Sequence, residues 1–235
     1  MRSRFQDTLS FENVTAQSGE VANFKDTLKE AYNQPMAYDK GLLDMATGAV
    51  LPHNIVITAH IFQYHWQKYL SSFSTMTDIN DAHNGLLLYK PVEWAFDRAK
   101  LFVEIINGKM TFRLIDQELE NIKLVDKAIE LQAQNGRPGA CSRKEVALKI
   151  TFGDLDRAVL SFLSNCTMWP SKRMLLMHAY SSWIYVNGTT GRHSPSTYNK
   201  SGHDLSGDKD IKDTLDTAVM MWRQAPDNQQ TLDNE

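Results

Sequence analysis

Ile55-Val56-Ile57-Thr58-Ala59-His60-Ile61, then Leu86-Leu87-Leu88-Tyr89, then Pro91-Val92-Glu93-Trp94-Ala95-Phe96-Asp97 are the stretches whose reading decides the fold class of this 235-residue chain. The first is rich in β-branched residues and the second in large apolar ones, the compositions of strands that face a core. Pro91 belongs in the first turn of a helix, where its missing N–H costs nothing, so a helix is predicted from Val92, with Glu93, Asp97 and Lys100 at mostly helical spacing. Strand, connection, strand and helix in this order bring His60 toward Glu93 and Asp97.

Outward from that centre, Leu101 to Ile106 and Met110 to Ile115 flank Asn107-Gly108, the dipeptide that supplies the positive backbone dihedrals of a tight hairpin. The connection before the second strand carries Trp66, Tyr69, Leu70, Phe73 and Met76 and is too apolar to be a free linker. A helix is predicted around Gln63 to Ser71, its aromatic residues serving the core rather than a nucleic-acid stacking surface, and Asp78 and Asn80 turn the chain toward the strand.

Toward the N-terminus, Phe24 to Tyr32 reads as a short helix and Leu42 to Ala46 as a second, with Thr47-Gly48 as a turn. Beyond the hairpin, Ile122 to Gln134 reads as helix, Gly136-Arg137-Pro138-Gly139 as a break, Thr151 to Leu155 as a capped segment, and Arg173 to Trp183 as an apolar helix. The domain reading is an N-terminal polar and helical extension over 1–50, a core with helical support over 51–186, a flexible linker over 187–209, and a C-terminal helix and polar tail over 210–235.

Composition sets outer limits. A chain that is 42% hydrophobic and 10% aromatic can bury a sizeable core. Its 25 Lys plus Arg against 28 Asp plus Glu give a formal charge of −3, which argues against a surface that is basic throughout while leaving room for a local basic patch. Cys141 and Cys166 form no metal knuckle and read as small core residues of a reduced, intracellular protein. The first twenty residues lack the apolar run of a signal peptide, no segment approaches a membrane span, and the Asn-x-Thr patterns at Asn13, Asn165 and Asn187 carry no weight without export.

The chemistry is concentrated between Thr58 and Asp97. His60 offers a base or a ligand, and Glu93 and Asp97, four apart on one helical face, offer two oxygen ligands to a divalent cation. Lys68, Lys90, Arg98 and Lys100 are candidate phosphate contacts, since cations near such a site hold a polyanion without reading its bases. His65 and His83 lie close enough in sequence to enter a ligand set. The cluster Ser171-Lys172-Arg173 with His178 reads as the start of a core helix before it reads as a nucleic-acid contact.

Ala59-His60-Ile61, Asn84-Gly85-Leu86-Leu87-Leu88 and Phe96-Asp97 together resemble the fungal branch of the HNH endonuclease-like family, whose shared unit is a β-β-α metal fold. The resemblance covers roughly Val56 to Arg98 and extends more weakly through the hairpin and Gly153-Asp154-Leu155-Asp156. It implies an α+β fold, with an HNH-like β-β-α metal core elaborated by a β hairpin and surrounding helices.

In that comparison His60 matches the general base that activates water, and Asn84 matches the asparagine that steadies the loop and helps hold the histidine by hydrogen bonding. Without the resemblance, Asn84 before a glycine is simply a turn residue. Two departures stand out: Glu93 occupies the place of the final histidine, and Ala59 stands where many members place a metal-binding side chain. Two carboxylates favour Mg2+, then Mn2+, over a histidine-rich Zn2+ site.

The implied activity is metal-dependent hydrolysis of DNA phosphodiester bonds, with RNA as a further partner and no membrane. The alternative is a catalytically impaired HNH-like module that binds nucleic acid or a protein.

Overall fold

The computed structural model describes residues 18–134 and 149–187. Of the predicted linker over 187–209 only Asn187 is described, as the end of a helix; the rest of it, the C-terminal helix, the Gly136 to Gly139 break and Cys141 lie outside those residues. What is described is a mixed fold of helices and three small antiparallel strand pairs.

Helix α1 (Ser18–Ala31) leads to β1 (Leu42–Leu43) and β2 (Val50–Leu51), which pair with each other. Strand β3 (Val56–His60) is followed by a 3-10 stretch from Tyr64 to Tyr69, the single turn α2 (Leu70–Phe73), strand β4 (Gly85–Tyr89) and helix α3 (Lys90–Asp97). Strands β5 (Leu101–Ile106) and β6 (Lys109–Leu114) form the hairpin. Helices α4 (Leu124–Gln134), α5 (Phe152–Leu155) and α6 (Lys172–Asn187) complete the described structure.

The strand-strand-helix order is present as read. β3 and β4 pair antiparallel with Val56 opposite Tyr89 and His60 opposite Gly85, and the chain enters α3 directly from β4, with Pro91 in its first turn. All five residues of β4 are buried, which explains why Leu86-Leu87-Leu88 shows no polar alternation: both faces of this strand are covered. The Asn107-Gly108 turn has the two positive φ values its dipeptide demands, 50° and 77°. Thr151 caps α5 in a reciprocal box with Asp154.

Two local expectations change. Leu42 to Ala46 is not a helix. Gly41 at φ 71° places Leu42 and Leu43 in a strand opposite Val50 and Leu51, and the Asp44 carboxylate then turns the chain by accepting from the N–H groups of Ala46 and Thr47. A Cβ at Gly41 would lie 2.7 Å from the Leu51 carbonyl oxygen, so glycine is required there on two counts. The stretch from Gln63 to Ser71 is mostly 3-10 helix before one α turn at Leu70; Tyr64 and Tyr69 pack against the core, with Leu70 and Phe73 buried, and the Trp66 side chain lies outside the described atoms.

Helix α1 roofs the β3–β4 pair. Phe24, Leu28 and Tyr32 have no exposed surface, and burial of that kind contributes about 2 kcal/mol for each such side chain. The Tyr32 hydroxyl lies 2.9 Å from the Ala82 carbonyl oxygen and 2.8 Å from that of Gly85, while Lys25 Nζ donates to the carbonyls of His53 and Val56. Gly85 is the notch that seats this helix, because a Cβ there would lie 2.6 Å from Phe24 and 2.7 Å from Leu28. Gly85→Ala is therefore expected to destabilise by about 1–3 kcal/mol through overpacking. Urea unfolding of the two proteins reads this directly, and an unshifted midpoint would mean that α1 does not seat on β4.

Candidate functional site

His60 closes β3, half-buried, with its ring stacked on Phe24 at 4.1 Å and 11° and edge-on to Tyr64. Its Nε2 lies 3.0 Å from Asn80 Oδ1. A carbonyl oxygen only accepts, so this contact assigns the proton to Nε2 and leaves Nδ1 as the basic nitrogen. Burial lowers the ring's pKa from its ordinary value, against the opposing effects of the Asn80 bond and the Asp78 charge, so the imidazole is neutral at pH 7, the form a general base needs. Asn80 is itself fixed by Asp78, which accepts from its backbone N–H at 2.9 Å.

The Asn84 side chain is engaged with backbone groups. It is fully buried, its Nδ2 donates to the carbonyls of Phe62 and Ile79, and its Oδ1 accepts from the Phe62 N–H at 2.7 Å. These bonds hold the loop that leaves β3, and the side chain that accepts from the histidine ring is Asn80. The sequence reading had given Asn80 only a turn.

Glu93 and Asp97 meet on α3 and are hydrogen-bonded to each other. Burial raises both, most strongly Glu93, whose partner's charge pushes it further; Asp97 rises to about 6, with the Glu93 bond and Arg98 pulling the other way. The two carboxyl groups titrate as an interacting pair, with Glu93 the member that keeps its proton to higher pH. Among the described residues no group of three or more His, Cys, Asp or Glu side chains converges so as to hold a metal. Ala59 is buried and offers no donor, and the His83 ring, exposed, is engaged by Asp81 at 2.8 Å. The His65 side chain lies outside the described atoms.

The four candidate phosphate contacts separate into different settings. Lys68 is exposed, over the Tyr69 ring. Lys90 stands at the start of α3, where its charge acts on Glu93. Arg98 is exposed and Lys100 is paired with Asp116 at 2.5 Å, and both approach the ring of Trp94. Lys127 of α4, which the sequence did not single out, reaches the same ring at 3.8 Å.

An open cavity of about 470 Å³ adjoins the Asn80 end of His60, lined by Asn23, Phe24, Thr27, Asp78, Asn80 and Asp81 among others. Two of these are carboxylates, which repel a phosphate approaching from this side. His178, once a possible nucleic-acid contact, is buried behind α3, its ring stacked on Phe96 at 3.7 Å and its Nε2 3.2 Å from the Phe96 carbonyl oxygen.

With the strand pair, the histidine and the helical carboxylates placed, the comparison with known families can be read on them. Residues 44–104 match the HNH endonuclease family model. The match begins at Asp44, takes in the β3–β4 pair and α3, and ends within β5. No curated protein and no solved structure matches the chain. The matched segment is the one that holds His60, Asn84, Glu93 and Asp97. Among the described residues no helix is long and apolar enough to cross a membrane.

Proposed function

We propose that this chain is an HNH-like module, of the fungal branch read from its sequence, that engages nucleic acid and in which phosphodiester hydrolysis is impaired. The observation that carries this reading is the donor set: Glu93 and Asp97 are engaged with each other, Ala59 supplies a methyl group where a ligand is expected, and no third donor joins them among the described residues. Two carboxylates fit Mg2+ or Mn2+ only as a minimal protein share, with water and substrate phosphate completing the shell, and fall short of the three or four protein ligands that Zn2+ takes. The acidic wall beside Asn80 adds a barrier to phosphate near the candidate base.

The second reading is a divalent-metal-dependent DNA endonuclease, with His60 as general base and Glu93 and Asp97 as ligands. It is favoured by the neutral, oriented imidazole. Glu93 and Asp97 would hold the cation, which would supply charge stabilisation to the phosphate, and a placed base contributes about 10²- to 10⁴-fold.

The two readings part on one assay: supercoiled plasmid incubated with the protein in EDTA, Mg2+ or Mn2+, beside His60→Ala. The expected result is no metal-dependent nicking, together with DNA binding that weakens with salt and is the same for both proteins. Nicking that requires metal and disappears in His60→Ala would replace the module reading with the endonuclease. RNA competing equally with DNA would show that the module reads backbone charge rather than DNA itself.

A further inference from the structure

Trp94 is the meeting point of three cations drawn from separate parts of the fold. Lys127 Nζ of α4 lies 3.8 Å from the ring centroid, the Arg98 guanidinium carbon 5.2 Å, and Lys100 Nζ, from the entry to β5, 5.8 Å. Each is within the range where an aromatic face attracts a cation. The cluster is built rather than incidental: Lys127 has a side chain only 9% exposed, a costly place for an ammonium, and it is held there by the indole face and by Glu130 at 2.8 Å. Lys100 is likewise fixed by Asp116.

Arg98 differs from the other two. Among the described residues no carboxylate lies within ion-pair distance of it; it is exposed, and its one backbone contact is a long 3.5 Å approach to the Trp94 carbonyl. Lys127 and Lys100 are thus engaged supports, whereas Arg98 presents a planar guanidinium to solvent on a platform that limits its rotamers. Such a group is suited to two-pronged contact with a phosphate.

The geometry points to the Trp94 cluster as a phosphate-backbone contact of nucleic acid, with Arg98 as the contacting cation and Trp94, Lys127 and Lys100 as its positioning support. This rests on the nucleic-acid reading above and narrows it to one face, at the C-terminal end of α3, where the Arg98 charge also acts on Glu93 and Asp97 and none of whose four residues lines the cavity at Asn80. The contact has no base-reading component, so it sets affinity and orientation without selecting a sequence.

The test is fluorescence anisotropy with labelled 20-mer DNA duplexes of two unrelated sequences across a salt series, using the full chain. Arg98→Gln is expected to weaken binding about tenfold on both sequences and to reduce the salt slope by about one unit, with Arg98→Lys recovering part of the slope. Lys127→Met, which keeps the apolar stem and removes the support charge, is expected to weaken binding in the same direction. Lys109→Gln at the exposed start of β6 serves as the control and is expected to leave binding unchanged. If the wild-type chain binds and Arg98→Gln binds equally well with the same slope, the cluster assignment is overturned while the nucleic-acid reading stands. If the wild-type chain fails to bind at low salt, both fall together.

Discussion

Asp44→Ala is expected to cost about 4 kcal/mol of folding stability, which for a chain of this size lowers the thermal midpoint by roughly 8–16 °C. The residue has no exposed surface, yet its two oxygens accept from the N–H groups of Tyr89, Ala46 and Thr47 and from the Thr47 hydroxyl. Alanine leaves the three backbone donors buried without a partner, at about 1–3 kcal/mol each, while the hydroxyl can turn elsewhere. The cost is offset in part because burial works against the ionised carboxylate, raising its pKa against the pull of those bonds. Asp44→Asn should recover part of the loss, since its amide oxygen can still accept from Tyr89 and Ala46 while its nitrogen faces the Thr47 N–H. Calorimetry on both variants decides the matter: an asparagine variant no more stable than the alanine one would show that the acceptors are not what the site requires.

The second large effect lies in acid. The buried His178 ring has its pKa lowered from 6.5 to about 4 by desolvation, against the opposing Phe96 carbonyl bond. The unfolded chain therefore takes up a proton near pH 6.5 that the folded chain refuses until about pH 4. The neutral ring's contribution is present above pH 6.5, declines as pH falls through this window, and is lost below about 4. At 1.36 kcal/mol per unit, the loss is about 3 kcal/mol. Asp97, raised to about 6, acts in the opposite direction: protonating it favours the folded state as pH falls from 6 toward its unfolded value. The measurement is accordingly a difference, urea unfolding of wild type and His178→Phe at intervals from pH 7 to 4. The phenylalanine variant keeps the stack on Phe96 and should lose the acid-dependent decline that the wild type shows. Parallel curves for the two proteins would remove His178 as the cause.

Most of the local architecture could be read from the chain because its signals are local. A proline in the first turn of α3, an Asn-Gly turn and a capping box at Thr151 each act over a few residues, and each appears where its chemistry puts it. Leu42 to Ala46 was misread for the converse reason. Leu-Leu-Asp-Met-Ala has ordinary helix formers, and what makes it a strand and turn is pairing with Val50 and Leu51 and a carboxylate that reaches Tyr89. The site was legible in its residue types and less so in their partnerships. His60 gives its hydrogen bond to a residue twenty positions away, and Trp94 takes its nearest cation from α4, contacts that exist only once the chain has folded.

The roof that α1 places over the strand pair also has a bearing on how the chain is made. Phe24, Leu28 and Tyr32 find their seat on Gly85, and the bond from Tyr32 to that residue spans 53 positions. At about 5–20 residues per second, a ribosome takes roughly 3–10 s to deliver β4 after Tyr32 has been added. For those seconds the apolar face of the first helix has nothing to cover it, so the newly made chain passes through an interval in which a holding chaperone has a well-defined sequence to protect.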